Sequence, residues 1–219
     1  MSLSYWRKTT VENCKEFPKF LYYLSSKENF ESIITNGIIS KNEIKKKNIN
    51  YKSFAEDEVQ KRRSKVDINI SDRTRRNLHD LVPLYFTPKT PTLYARQKDQ
   101  YNFFISKISS IKIISDLKKN FAFTDGNAAS DLTKQYWNLK NLSKLKWDII
   151  HAESWADKED GKRIRNAEFL IHQNIEIKFI SEFILINQNL KKKFEKILEK
   201  KNIKIPVNKD LDFSCFFQV

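Results

Sequence analysis

Apolar residues in this chain recur in short runs rather than long stripes, and the runs predict strands. Phe20-Leu21-Tyr22-Tyr23-Leu24 reads as a buried strand. From residue 81 the β signal repeats over Leu81–Phe86, Tyr101–Ile105, Ile111–Ile114, Phe121–Phe123, Trp147–His151, Ala167–His172 and Ile175–Ile186. Helical spacing shows in three places. Over 25–37, Ser25-x-x-Glu28 forms a capping box, Phe30, Ile33 and Ile34 an apolar stripe, and Gly37 a stop. Leu132, Tyr136 and Leu139 share one face of a short helix around 131–139, and Leu190, Phe194, Ile197 and Leu198 mark a helix near 188–201 with lysines outward. The apolar tail Asp212–Val219 predicts a last edge strand. Many short strands with few helices give an α+β fold with mostly antiparallel sheets.

Residues 40–77 break this pattern. They are polar and strongly basic, with KNEIKKKN, VQKRRSK and RTRR and only scattered apolar positions such as Ile44, Ile49, Tyr51 and Phe54. Phe54–Val59 has room for one or two helical turns; the rest predicts a long basic insertion, and long loops in compact domains are usually functional. No repeat and no Pro/Gly/Ser-rich linker divides the chain, so residues 1–219 are expected to form a single domain.

Composition narrows the function classes. The three glycines, Gly37, Gly126 and Gly161, stand apart, which rules out the clustered glycines of a Rossmann or P-loop nucleotide site. Two cysteines, Cys14 and Cys215, and three histidines are too few for a Cys/His zinc site, so no metal is expected and the thiols are expected to be free. No apolar run reaches the roughly 18–20 residues that span a bilayer, and MSLSYWRKTT lacks a signal-peptide core, so the expectation is a soluble, cytoplasmic protein with no membrane partner. The net charge of +14 points to a polyanionic partner. A lysine-rich proteome bias would produce a similar excess without any such partner.

Three segments set polar or ionisable residues against strand-like runs. In Asn166-Ala167-Glu168-Phe169-Leu170-Ile171, strand alternation puts Glu168, Leu170 and His172 on one face. A carboxylate there is costly unless paired, exposed at an edge or catalytic. Arg163 and Arg165 are the nearby candidates for a purely structural ion pair; the functional reading is a carboxylate that bonds a sugar hydroxyl and steadies positive charge developing on the sugar. Tyr85-Phe86 through Tyr94 leave a strand through Pro88 and Pro91, so aromatic rings stand on a rigid ledge able to stack a planar ligand, although Phe86 alone fits an ordinary core role. His79-Asp80 reads as a strand-entry hydrogen bond or a pH-sensitive pair. Thr124-Asp125-Gly126-Asn127 reads as a tight turn. The basic runs holding Arg62, Arg63, Arg73, Arg75 and Arg76 offer guanidinium forks for phosphates and bases, or a solvated face.

Taken in order, LYYLSSKENFESIITNGIIS, VQKRR, HDLVPLYFTPKTPTLY, FTDGNAAS and AEFLI resemble the DarT family of toxins, which transfer ADP-ribose from NAD onto bases of single-stranded DNA. The resemblance implies an ADP-ribosyltransferase fold, a central split β-sheet core with flanking helices and NAD as substrate in a cleft. It matches Glu168 to the family's catalytic glutamate and Arg63, or its neighbour Arg62, to the basic residue that assists base activation. Tyr22, Tyr23, Ser26, Arg62, Tyr85, Phe86 and Tyr94 then fall on the NAD side. Arg73, Arg75, Arg76, Asp125, Gly126, Asn127 and Trp155 fall on the nucleic-acid side, with 121–160 as the substrate-facing segment. One position departs: where the family places a histidine against the NAD ribose, this chain has Tyr23 and Ser26, so a hydroxyl replaces that contact or NAD is held differently. The resemblance also implies a macrodomain-type antitoxin as partner. The acceptor is thymine or guanine in DNA; transfer to RNA bases is the enzymatic alternative, and a basic nucleic-acid-binding module without catalysis is the other. A nuclease is disfavoured, since no compact Asp/Glu/His cluster stands ready for metal.

Overall fold

A computed structural model describes residues 13–55, 57–116 and 121–218. The expectations for MSLSYWRKTT, Glu56 and Val219 lie outside these residues. The strands are β1 (Phe20–Ser26), β2 (Asp67–Ser71), β3 (Thr74–Asn77), β4 (Val82–Tyr85), β5 (Phe103–Ser109), β6 (Phe121–Thr124), β7 (Gln135–Tyr136), β8 (Glu168–Ile171), β9 (Ile180–Leu185) and β10 (Val207–Lys209). Eight form one sheet in the order β10-β9-β5-β1-β4-β8-β6-β7, antiparallel throughout except for the β10–β9 pair; β2 and β3 form a separate hairpin.

The large sheet is two halves held by a narrow seam. β1 pairs with β5 along seven residues, Phe20 to Ser26, and β4 with β8 along four. Between β1 and β4 only Tyr22 and Tyr85 are in register. Pro83 in β4 has no N–H to offer a ladder, so the two strands part beside it. The split core implied by the family resemblance is this seam.

The apolar faces explain the layers. Phe30 of the helix Phe30–Asn36 stacks on Phe194 of the helix Gln188–Lys200 at 3.5 Å; both rings meet Phe104 on β5, and Phe30 also meets Phe183 on β9. On the other half, Phe169 of β8 stacks on Phe121 and Phe123 of β6. Ile68 and Ile70 of the hairpin cover Ala122 and Leu170.

Several expectations change. Residues 40–77 are built, not loop: Ser40 caps the helix Lys41–Lys46 through the Glu43 amide, the helix Asp57–Arg63 follows, and the hairpin completes the segment. Ile111–Ile114 belongs to the helix Ser110–Asp116, whose buried Ser110, Ile113 and Ile114 repeat at helical spacing. Trp147–His151 is a helical turn over Trp147–Ile150, and 131–139 holds β7 rather than a helix, leaving Leu132 77% exposed. Ile175–Ile186 divides into a single bridge from Ile175 to Ile38, a 3-10 turn and β9. The tail forms no strand up to Gln218, because the Asp210 carboxylate takes the amides of Ser214, Cys215 and Phe216 that a ladder would need. The Ser25–Glu28 capping box does not form either, since Ser25 is still in β1 and its hydroxyl accepts from Asn29.

Gly37 does end its helix, at φ +73°, donating to the Ile33 carbonyl. A Cβ there would stand 2.4 Å from the Ile175 carbonyl oxygen, which accepts the Ile38 amide. Gly37→Ala therefore combines strain with overpacking and is expected to lower stability by about 1–3 kcal/mol. Urea unfolding measures this, and an unchanged midpoint would show that the backbone gives way.

Candidate active site

Glu168 opens β8 at the seam, where Tyr85 is its partner on β4. It is 2% exposed, and both its carboxylate oxygens are bonded: the Arg63 guanidinium donates to Oε1 at 2.9 Å and to Oε2 at 3.0 Å, and the Ala128 amide donates to Oε1 at 3.2 Å. The Glu168 amide donates to the Thr124 hydroxyl, which itself donates to the Gly126 carbonyl at 2.7 Å. The carboxylate is thus held by the helix Asp57–Arg63 and the turn after β6, while β6 itself fixes the Glu168 backbone. A parallel fork of this kind fixes orientation as well as charge.

The partner is not one of the arginines near Glu168 in sequence. Arg163 bonds Asp125 at 2.9 Å and Asp160 at 2.6 Å, and Arg165 turns to the Lys89 and Ile150 carbonyls. Arg63 comes from 105 residues away. Burial works against its charge, but the carboxylate and its hydrogen bonds more than offset this, so its pKa is raised. It is a permanent cation, unable to act as a base.

Two cavities open along the seam and share Tyr23, Tyr51, Gln60, Arg63 and Pro83. The first, about 100 Å³, is walled by Glu168, Tyr85, Thr92, Phe54 and Asn127. Burial, with Glu168 adding to it, pushes the Tyr85 phenol up to about 12, so it remains a neutral donor. The second, about 70 Å³, is walled by Lys41 and His79. His79 is buried with no partner for Nε2 among the described residues, and burial followed by the nearby Lys41 and Arg63 lowers its pKa to about 4. Its amide donates to Asn77 Oδ1, while Asp80 accepts from Asn42, so the two side chains form no pair with each other.

An open groove of about 590 Å³ leads away from Glu168, lined by Arg62, Ser130, Lys162, Arg163 and Asn166. Asn127 borders both this groove and the Glu168 cavity. Arg62 is exposed and lines the groove, whereas Arg63 is the one of the two that pairs with Glu168.

The remaining candidates scatter. Tyr23 lines both cavities, with its hydroxyl 3.4 Å from that of Tyr51. Ser26 is buried and bonded to Glu28, so of the two positions replacing the family's histidine only Tyr23 faces the cleft. Tyr22 turns to the other side of β1, against the cluster of Leu24, Phe54 and Phe103. Phe86 is a core ring against Trp147, Phe17 and Phe169. Asp125 is tied to Arg163, and Gly126 leaves the space that the Arg163 guanidinium fills, since a Cβ would meet it at 2.3 Å. Arg73, Arg75 and Arg76 are exposed on the β2–β3 hairpin. Tyr94 and Trp155 meet each other outside the cavities described above. Sequence reasoning gave no role to Tyr51, Gln60, Thr92, Thr124 or Asn166. Only Thr124, inside the quoted turn, carried a local signal.

Comparison with known proteins agrees with this geometry. The family model described as "ssDNA thymidine ADP-ribosyltransferase, DarT" matches residues 22–217. A DNA ADP-ribosyl transferase of Thermus aquaticus is 27% identical over 190 residues, covering 83% of this chain and 81% of that protein. A Thermosipho africanus transferase–glycohydrolase fusion is 30% identical over 197 residues; the chain spans 48% of its length. The Thermus sp. 2.9 DarT bound to ADP-ribosylated single-stranded DNA superimposes with a TM-score of 0.79 at 24% identity, over 90% of this chain and 96% of that one. Thermosipho africanus DarTG with ADP-ribose gives 0.76 at 26% identity, over 90% and 51%. With the match running from β1 to the tail and the ion-paired glutamate at the sheet seam, the chain belongs to the DarT family of NAD-dependent ADP-ribosyltransferases acting on single-stranded DNA.

Proposed function

We propose that this chain transfers ADP-ribose from NAD to thymidine in single-stranded DNA, with Glu168 and Arg63 as its catalytic pair. The observation that supports this reading is the buried Arg63–Glu168 fork, aimed into a cavity that also holds the Tyr85 and Tyr23 side chains. Such a pair is no cheap source of stability, so its place at the mouth of a groove argues for chemistry. In the reaction the nicotinamide–ribose bond breaks and the pair of electrons leaves with nicotinamide. The ring nitrogen of thymine supplies the pair for the new bond to the anomeric carbon and gives up its proton. Glu168 bonds the ribose hydroxyls and offsets the positive charge that builds on the sugar. Arg63 stabilises the developing base anion, and Glu168 or water receives the proton. Tyr85 stacks on the planar leaving group. Tyr23, Lys41, Gln60 and the unpaired His79 Nε2 are donors and acceptors for the rest of the dinucleotide. Single-stranded DNA presents its bases without the cost of flipping, and the exposed Arg73, Arg75 and Arg76 hold its backbone.

We read residues 1–219 as one transferase unit acting as a toxin, with a separate macrodomain-type antitoxin as its counterpart. The transferase–glycohydrolase fusion of Thermosipho africanus supports that pairing. The test is incubation with NAD and a mixed-sequence oligonucleotide, followed by mass spectrometry, with a thymine-free DNA and an RNA alongside. One added ADP-ribose on the thymine-containing DNA alone is the expected result. Addition to the thymine-free strand would move the acceptor to guanine, and addition to RNA alone would overturn the DNA assignment.

A further inference from the structure

One cluster remains that the transfer chemistry does not use. Tyr94, Trp155 and Phe217, from three distant parts of the chain, meet edge to face at 5.8, 5.2 and 6.1 Å between ring centroids. Tyr94 is 49% exposed and its two partners are half-buried, so the three rings form an aromatic patch open to solvent. Cations flank the ledge. Lys89 Nζ stands 5.7 Å from the Phe217 ring and the Arg165 guanidinium 5.9 Å from Trp155. Arg165 is 4% exposed and bonds only the carbonyls of Lys89 and Ile150. Among the described residues no carboxylate pairs with it. Burial brings its pKa down to about 10, so it is still charged at neutral pH. A buried charge without a counterion is expensive, and an anion nearby would offset that cost.

The ledge adjoins the acceptor side of the active site. Tyr94 ends the helical turn Pro91–Tyr94, whose Thr92 lines the Glu168 cavity and donates to Asn166 Oδ1 at 2.9 Å. Arg165 directly precedes Asn166, which lines the open groove. A recess of about 230 Å³ beside that turn holds three cationic side chains, Arg62, Arg96 and Lys162. Rings, two cations without a carboxylate partner among the described residues and a nearby recess lined by Arg62 and Lys162 fit a nucleobase and its phosphate better than an apolar peptide.

We propose that the Tyr94–Trp155–Phe217 ledge stacks a base flanking the acceptor nucleotide of the single strand, with its phosphate drawn to Lys89 and Arg165. This rests on the DNA-modifying reading above and adds a second contact point for the strand outside the chemical cleft. Stacking a base on an aromatic ring tolerates any sequence, so the ledge sets affinity and strand path rather than which base is modified.

The test is fluorescence anisotropy of the full chain with a labelled oligothymidylate, together with KM for DNA and for NAD. Trp155→Ala is expected to weaken DNA binding roughly 5- to 150-fold, the range that one stacked base provides. KM for DNA should rise in parallel and KM for NAD stay put, while Trp155→Phe restores most of the binding. A folded Trp155→Ala protein with wild-type DNA affinity would overturn the ledge. So would a rise in KM for NAD alone, which would return Tyr94 and its neighbours to the cofactor side, or loss of a self-associated form with DNA affinity unchanged, which would make the ledge a contact between copies. Should Trp155→Ala unfold, Tyr94→Ser gives the same readouts from the most exposed ring. Because binding is read without NAD, the ledge and the transfer reaction fail separately.

Discussion

Glu168→Gln is expected to cut ADP-ribosyl transfer by at least about 100- to 1,000-fold, the scale of losing one preorganised electrostatic contact to a transition state. The substitution keeps the shape and one acceptor oxygen but removes the charge that faces the reacting sugar. It also leaves Arg63 buried against a neutral amide, and breaking a buried pair costs about 3–5 kcal/mol. The two effects separate cleanly. Replacing both partners, with Arg63→Met and Glu168→Leu, removes the uncompensated charge, so thermal stability should return toward wild type while transfer stays absent. Thermal unfolding and the oligonucleotide mass assay on the same preparations measure this. Full transfer by the stable double variant would reduce the fork to a structural pair and end its claim to catalysis.

Much of this site was legible in the chain because a carboxylate in a four-residue apolar strand has few harmless explanations. The identity of its partner was not. Arg163 and Arg165 lie close in sequence, yet Arg163 sits in the helical turn Gly161–Ile164 and Arg165 just after it, before β8 begins, and from there the two reach Asp125, Asp160 and backbone carbonyls. Arg63 reaches Glu168 only because the helix Asp57–Arg63 folds back over the seam, a long-range event that no local spacing encodes; the family resemblance named Arg63 or Arg62 for base activation, not as the partner of Glu168. Strand expectations held where apolar runs lay within paired ladders, as for β1, β4, β6 and β8. They failed at Ile111–Ile114 and Trp147–His151, since a short apolar run has the same composition in a buried strand and a buried helical turn. β10 went unseen because Val207 is its only buried residue. The ordered structure of 40–77 was hidden for a related reason. Its buried positions, Ser40, Ile44, Phe54, Arg63, Ile68 and Ile70, are spread thinly among charged residues, and one of them is itself an arginine.

That arginine carries the second large effect. Arg63→Ala is expected to lower transfer to DNA by about 100- to 1,000-fold while NAD is still split to nicotinamide and free ADP-ribose. Bond breaking at the sugar needs the Glu168 charge, which the Ala128 amide continues to hold. Attack by thymine needs its ring nitrogen to shed a proton, and among the described residues no other cation lines that cavity to stabilise the base anion, so water takes the sugar instead. Arg63→Lys keeps the charge but loses the fork, and should fall between the two. Since the Arg63 pKa is raised and Tyr85 lies near 12, neither group titrates in the neutral to mildly basic range. A rise of transfer with pH there would report ionisation of the acceptor base, and it should steepen when Arg63 is removed. The decisive quantity is the ratio of hydrolysis to transfer. If Arg63→Ala loses both in proportion, the guanidinium only positions Glu168; if it keeps full transfer, base activation lies elsewhere in the cleft.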